Sequence, residues 1–101
     1  MVHVVWTEPA LADLQEIHDY IAEDSPRNAE AMVLQLQAAV LRLADFPLSG
    51  RAVPELVPSE YREVISGSYR IIYRYIPDQD TVLINAIYHG RQQLRDPGDR
   101  S

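Results

Sequence analysis

The spacing of the apolar residues changes part-way along the chain, and this change limits the folds open to it more than any other feature. Between residues 9 and 44 the apolar residues recur at steps of three and four, the spacing of amphipathic helices. From residue 61 onward the chain instead contains three runs rich in β-branched and aromatic residues, separated by short turn sequences. The chain therefore predicts helices followed by strands that fold back on one another, which is an α+β arrangement.

Two helices are predicted in the first half, after a short β-branched run at Val2–Trp6 that predicts a strand. Thr7 caps the first helix, and Ser25-Pro26 marks the start of the second, because serine favours the cap and proline the first helical position. The second helix is predicted to run to about Ala44. Its apolar residues keep the spacing that packs along the first helix, so the two form an antiparallel hairpin. Those residues are Ala29, Val33, Leu36, Val40 and Leu43.

Three strands are predicted in the second half, at Tyr61–Ser66, Tyr69–Ile76 and Thr81–Tyr88. The stretch Arg51–Glu60 is punctuated by prolines and so cannot be a central strand. The element order β-α-α-β-β-β predicts a helical hairpin packed on one face of a small, mostly antiparallel four-stranded sheet. Residues 1–92 form one domain in this interpretation, and residues 93–101 form a polar C-terminal tail.

Composition excludes several functional classes. The 101 residues include no cysteine, which rules out disulfides, thiolate metal sites and a cysteine nucleophile. The three histidines fall on three different predicted elements without metal-binding spacing, so we expect no metal and no cofactor. A net charge of −6 opposes broad nucleic-acid binding. Without a signal peptide or a long uncharged apolar run, we expect a cytoplasmic protein with no membrane partner.

The charge is unevenly distributed between the two halves. Residues 1–50 carry eight acids against two arginines, whereas residues 51–101 carry seven acids against seven arginines. All nine basic residues are arginine, which favours planar, bidentate contacts at chosen points over a diffuse cationic surface. An overall acidic chain can therefore still hold a local anion site.

The alternation of residues along the last two strands predicts where that site lies. A four-residue loop between them pairs Tyr69 with Tyr88, Ile71 with Ala86, Tyr73 with Ile84 and Tyr75 with Val82 on the face under the helices. The other face is predicted to be open, because a helix would not cover unpaired arginines. It collects Arg70, Arg74, Asn85 and His89, with Arg91 just past the strand.

Two interpretations of this face remain open at this point. It can be a cationic patch that binds a carboxylate or a phosphate, with one titratable imidazole. Alternatively, its arginines are satisfied by nearby acids. If the Gly67-Ser68 turn has two residues, Glu63 lies on the same face beside the arginines, and Arg62 points to the other side.

The sequence resembles the RelE/ParE superfamily of toxins from bacterial type II toxin–antitoxin systems, often labelled plasmid stabilisation proteins. No single block is specific, but the ordered set covers about residues 2–91. The matching blocks are Trp6-Thr7-Glu8-Pro9-Ala10 with Asp13-Leu14, Ile17 with Tyr20-Ile21-Ala22, Ser25-Pro26 with Ala29, Phe46-Pro47-Leu48-Ser49-Gly50-Arg51, Pro54-Glu55-Leu56, Tyr61-Arg62-Glu63, Ser68-Tyr69-Arg70-Ile71-Ile72-Tyr73 and Ile87-Tyr88-His89-Gly90-Arg91.

The resemblance implies one of two activities, since the fold alone does not settle function. RelE- and YoeB-like members cut mRNA on the ribosome, and Glu55, Arg70 and His89 match the YoeB-like glutamate, arginine and histidine that would carry that catalysis. Two departures oppose it: Gly90 replaces the tyrosine expected after the histidine, and the chain has no lysine. ParE-like members bind DNA gyrase and block replication without known chemistry of their own.

We therefore expect a ParE-like toxin that inhibits DNA gyrase. The alternatives are a RelE/YoeB-like mRNA endonuclease and a member that is non-toxic or has an unknown target. The resemblance also implies a cognate antitoxin, which we expect to be acidic and ParD-like and to form a hetero-oligomer with the toxin. The residues expected to bind the antitoxin or the target are Arg62, Arg70, Arg74, Asn85, His89 and Arg91.

Overall fold

Two helices and five strands make up the part of the chain that the computed structural model describes, residues 2–90. The strands are β1 (His3–Trp6), β2 (Arg51–Ala52), β3 (Arg62–Ser66), β4 (Tyr69–Ile76) and β5 (Thr81–His89), and the helices are α1 (Glu8–Ala22) and α2 (Pro26–Leu41). The predicted domain boundary at residue 92 and the predicted tail lie outside the described residues.

Both helices begin where the sequence predicts. The Thr7 hydroxyl accepts a hydrogen bond from the Ala10 amide at 3.4 Å, and the Ser25 hydroxyl accepts one from the Asn28 amide at 3.1 Å. Each cap satisfies an amide that has no partner within its own helix. The second helix ends at Leu41, earlier than predicted, because the next three residues tighten into a 3-10 turn. The two helices pack on one face of the sheet, as expected.

The strand order in the sheet is β1-β5-β4-β3-β2, with β1 parallel to β5 and the other neighbours antiparallel. The prediction of four strands was one too few. The additional strand is β2, two residues at the edge of the sheet that pair with Arg62 and Glu63. Its brevity follows from the sequence, because Pro54 lies two residues beyond it and cannot donate a hydrogen bond to a ladder.

A β-bulge at Asn85 changes which residues of β5 face the helices. Up to the bulge the register is as predicted, with Tyr73 opposite Ile84 and Tyr75 opposite Val82. Beyond it the pairing shifts by one residue, so that Tyr69 faces His89 and Ile71 faces Ile87. The predicted pairs Tyr69–Tyr88 and Ile71–Ala86 are therefore wrong. One extra residue moves every later side chain of the strand to the opposite face.

The sheet consequently has a core on each face. The larger core lies under the helices and includes Leu36, Leu43, Ile71, Tyr73, Ile84 and Ile87. The smaller core consists of Val53, Ile72, Ala86 and Tyr88, with Leu56 and Tyr61 packed against it. The second face was predicted to be open, and this was wrong: the segment after β2 covers its centre. No helix within residues 2–90 has the length and apolar character needed to cross a bilayer.

Candidate functional site

Arg70 lies at the centre of an ion-pair network on the sheet face opposite the helices. Its side chain is 8% exposed, and two carboxylates surround the guanidinium. The Nε and Nη2 groups donate to Oε1 of Glu63 at 2.9 and 2.5 Å. The Nη1 and Nη2 groups donate to the two carboxylate oxygens of Glu55 at 2.7 and 2.8 Å. This bidentate fork is the strongest geometry that an arginine and a carboxylate form.

Glu63 bridges Arg70 to a second arginine. Its side chain is wholly buried, and its other oxygen accepts hydrogen bonds from Nε and Nη2 of Arg51 at 2.7 and 2.6 Å. A buried carboxylate needs such partners, because desolvation of an unpaired charge is costly. The interpretation in which nearby acids satisfy the arginines therefore describes this part of the face.

The contact between Glu55 and Arg70 shifts the pKa of both groups. Hydrogen bonds from Arg70 lower the pKa of Glu55 to about 2, although partial burial opposes the shift. The same contact raises the pKa of Arg70 above its usual value. Glu55 is thus a carboxylate at neutral pH. A general base works best with a pKa near the operating pH, so Glu55 in this state is a weak proton acceptor.

Arg74 lies on the same face of β4, four residues after Arg70. Its Nη1 donates to Oε1 of Glu60 at 2.5 Å, and its guanidinium carbon lies 5.9 Å from the centroid of the Tyr61 ring. Two buried polar atoms lack a hydrogen-bond partner among residues 2–90: Nε of Arg74 and Oδ1 of Asn85, the bulge residue. They are a donor and an acceptor, respectively.

His89 lies on the other face of the sheet, beside the helices. Its ring meets that of Tyr69 edge to face, with centroids 5.6 Å apart. Both residues line a groove of about 750 Å³ between α1 and the ends of β4 and β5, which also includes Asp13, Glu16 and Tyr20. None of the network residues Arg51, Glu55, Glu63 and Arg70 lines this groove.

Asp13 of α1 reaches the sheet. Its Oδ2 accepts a hydrogen bond from the Ile87 amide at 2.9 Å, two residues past the bulge. A ladder that is locally disrupted by a bulge leaves backbone groups that need other partners, and Asp13 supplies one. No sequence pattern predicted this contact, because it depends on the bulge, which was not predicted either.

The predicted site residues thus lie on both faces of the sheet and do not form one site. Arg70, Arg74 and Glu55 lie on the face opposite the helices, together with Arg51, Glu60 and Glu63. Arg62 pairs with Tyr73 and turns toward the helix face, as predicted, where its Nη1 donates to the Gly50 carbonyl at 2.8 Å. Arg91 lies outside the described residues. Sequence reasoning missed Arg51 and Glu60, since loop residues carry no alternation that assigns them to a face.

No group of three or more histidine or acidic side chains within residues 2–90 is arranged to hold a metal ion. What the second face offers instead is arginine, held in place by carboxylates. Such a surface can recognise anionic groups.

Residues 4–94 match the family model described as the ParE toxin of the type II toxin–antitoxin system parDE. The chain belongs to the ParE toxin family. The matched residues include both helices and strands β2 to β5 in full. The resemblance stated from the ordered sequence blocks is thereby confirmed, and so is the α+β fold that it implies.

Relatives of this ParE-family chain carry names from both branches of the superfamily. Toxin RelE2 of Caulobacter vibrioides is 41% identical over 78 residues, which are 77% of this chain and 84% of that protein. The solved chromosomal ParDE system of P. aeruginosa superposes with a TM-score of 0.73 at 25% identity, covering 88% of this chain and 96% of that one. The toxin–antitoxin complex RelBE2 of Mycobacterium tuberculosis superposes with a TM-score of 0.63 at 25% identity, covering 87% of this chain and 90% of that one.

Proposed function

We propose that this ParE-family toxin acts on DNA gyrase and blocks replication without cutting RNA itself. The observation that carries the proposal is the separation of His89 from the Glu55–Arg70 pair by the sheet. An RNA-cleaving site would need a base, a phosphate clamp and an acid that reach one substrate together. In this chain the three candidates for those roles do not share a face.

The state of the Glu55–Arg70 pair supports the same conclusion. Glu55 is held as a carboxylate with a pKa of about 2, and the Arg70 guanidinium is already occupied by Glu55 and Glu63. In this state Glu55 is a weak general base, so the pair lacks the proton acceptor that RNA cleavage needs. The net charge of −6 also opposes docking among ribosomal phosphates.

We further propose that an acidic, ParD-like antitoxin neutralises the toxin in the cytoplasm. Both solved relatives named above come from toxin–antitoxin systems, and one was solved as a toxin–antitoxin complex. Arg70 and Arg74 are the proposed charged anchors on the described part of the chain, with Arg91 as a third outside it. An unfolded acidic segment that orders on contact suits such anchors.

A second candidate function is ribosome-dependent mRNA cleavage, and one observation favours it. The relative named Toxin RelE2 is 41% identical over most of its length. This candidate requires Glu55 to release Arg70 and His89 to act from the other face or after a change in β5. A non-toxic member, or one with another target, is the third candidate.

Inducible expression without an antitoxin tests the proposal. We expect growth arrest with a DNA-damage response and loss of chromosomal supercoiling, while mRNA in the ribosomal A site stays intact. The His89→Ala variant is the matched control for the nuclease, because removing the histidine would abolish cleavage if the residue is catalytic. Cuts at A-site codons that disappear in His89→Ala would overturn the proposal, and absence of any growth defect would overturn both activities.

A further inference from the structure

The two arginines of β4, Arg70 and Arg74, are both paired with glutamates from one loop. We call residues 54–60 the acidic strap. Its first glutamate, Glu55, forms the bidentate pair with Arg70, and its last, Glu60, pairs with Arg74. The strap runs along β4 in the same direction as the strand, since the earlier glutamate meets the earlier arginine.

The strap glutamates differ from Glu63 in their accessibility. The side chain of Glu63 is wholly buried, whereas those of Glu55 and Glu60 are 37% and 68% exposed. An incoming carboxylate would replace each of these two pairs with an equivalent pair, so the exchange costs less than breaking the pair would. Glu63 is a permanent counter-ion, and the two strap glutamates are exchangeable ones.

The strap does not need to leave the sheet for this exchange. Val53 before it, Leu56 within it and Tyr61 after it pack on the smaller core, so its backbone is anchored at three points. Rotation of the two glutamate side chains into solvent would uncover the arginines. Between them Val57 is 64% exposed, and it offers an apolar contact beside the two cations.

We propose that Arg70 and Arg74 form a binding site for two carboxylates of an extended acidic peptide, and that the acidic strap occupies this site in competition with it. This proposal rests on one part of the proposed function, namely that an acidic antitoxin is the natural source of the peptide. Residues four apart on a strand are about 13 Å apart, so the site selects acids at that separation. In an extended peptide, these are residues four positions apart.

A peptide fits this site better than a nucleic acid does. The guanidinium fork matches carboxylate and phosphate alike, but the groups that occupy it are carboxylates. A chain of net charge −6 repels a polyanion more strongly than it repels a peptide with two carboxylates.

A titration of the purified chain tests the proposal. The probe is an acetylated, amidated seven-residue peptide in which Val-Thr-Val separates two glutamates. Binding is followed through the Nε–Hε signals of Arg70 and Arg74 in nitrogen-15 NMR spectra. We expect the double variant Glu55→Gln, Glu60→Gln to bind about fivefold more tightly than the wild type, because glutamine keeps the shape but loses the competing charge.

Glu23→Gln with Glu30→Gln is the matched control, since it makes the same change in net charge at two exposed positions, one just past α1 and one in α2. We expect this control to change the affinity by less than about twofold, because screened charges at a distance contribute little. Equal tightening in the two double variants would overturn the proposal. The proposal would also be overturned if a peptide with glutamines in place of the two glutamates bound as tightly as the glutamate peptide.

A single variant and a nucleic-acid ligand complete the test. Glu60→Gln alone leaves the buried network untouched and should tighten binding about twofold, whatever happens to the fold of the double variant. A seven-nucleotide single-stranded DNA that binds the double variant more tightly than the peptide would overturn the peptide assignment. The gyrase proposal is independent of these results, since peptide binding without growth arrest would contradict only the proposed function.

Discussion

Arg70 and His89 lie on opposite faces of the sheet. In the ladder between β4 and β5, Arg70 is opposite Tyr88 and His89 is opposite Tyr69. These two pairs are adjacent along the ladder, and the side chains of adjacent pairs point to opposite faces of the sheet. Arg70 lies with Glu55 and Glu63 under the strap, and His89 lies in the groove beside α1. Any chemistry that needs both groups on one substrate would require a different register at the end of β5.

Removal of Arg70 should destabilise the fold strongly. Arg70→Met leaves the buried Glu63 with Arg51 as its remaining arginine, and loss of one partner of a buried pair costs about 3–5 kcal/mol. Urea denaturation at pH 7 measures the free energy of unfolding. The control Arg27→Met, at an exposed position of α2, should stay within about 0.5 kcal/mol of wild type. A loss below about 1 kcal/mol in Arg70→Met would contradict the account of the network.

The Glu55–Arg70 pair should make stability depend on acid pH. Folding lowers the pKa of Glu55 from 4.5 to about 2, so the pair stabilises the fold fully above pH 4.5 and loses this contribution as the pH falls toward 2. Glu55→Gln should therefore cost about 1 kcal/mol at pH 7, a value reduced because the side chain is 37% exposed, and almost nothing near pH 2.

Thermal or urea denaturation of both proteins between pH 2 and 7 measures this difference. Glu30→Gln, exposed on α2, is the matched control and should follow the wild-type profile. If the free energies of unfolding of the wild type and Glu55→Gln differed by the same amount from pH 2 to 7, the effect would not be electrostatic.

Gly50 should tolerate substitution less well than Gly90. A Cβ atom on Gly50 would lie 2.6 Å from the Tyr73 hydroxyl and 2.7 Å from the Glu63 carbonyl oxygen, and the Gly50 amide donates to that hydroxyl at 2.8 Å. A Cβ atom on Gly90 would lie 3.3 Å from the Ser68 carbonyl oxygen, a contact that needs a much smaller adjustment. We expect Gly50→Ala to cost about 2 kcal/mol or more and Gly90→Ala less than about 1 kcal/mol, by urea denaturation. Equal costs would contradict the described packing.

The hydrogen bond from the Ile87 amide to Asp13 should protect that amide from exchange. Asp13→Ala leaves a buried N–H without this acceptor, which costs about 1–3 kcal/mol, while Asp13→Asn keeps a side-chain oxygen and should cost less. Hydrogen–deuterium exchange at Ile87 measures the effect directly. Unchanged protection in Asp13→Ala would show that the carboxylate is dispensable to the ladder past the bulge.

Local patterns in the sequence predicted the helix caps, the three long strands and the register from Tyr73 to Ile76, because each depends on neighbouring residues. The bulge at Asn85 could not be predicted in this way. Residues on both sides of β5 beyond it are apolar, so the pattern does not reveal a change of face. The pairs that the strap forms with Arg70 and Arg74 were also missed, since a loop has no ladder to set its position.

The most direct test of the proposed function is gyrase activity in the presence of the purified toxin. Relaxed plasmid, DNA gyrase and ATP are combined with increasing amounts of the chain, and the fraction of supercoiled DNA is measured on agarose gels. We expect supercoiling to fall and cleaved DNA to accumulate as the toxin approaches the concentration of gyrase. Full supercoiling activity at a large excess of a toxin that still arrests growth in cells would contradict it.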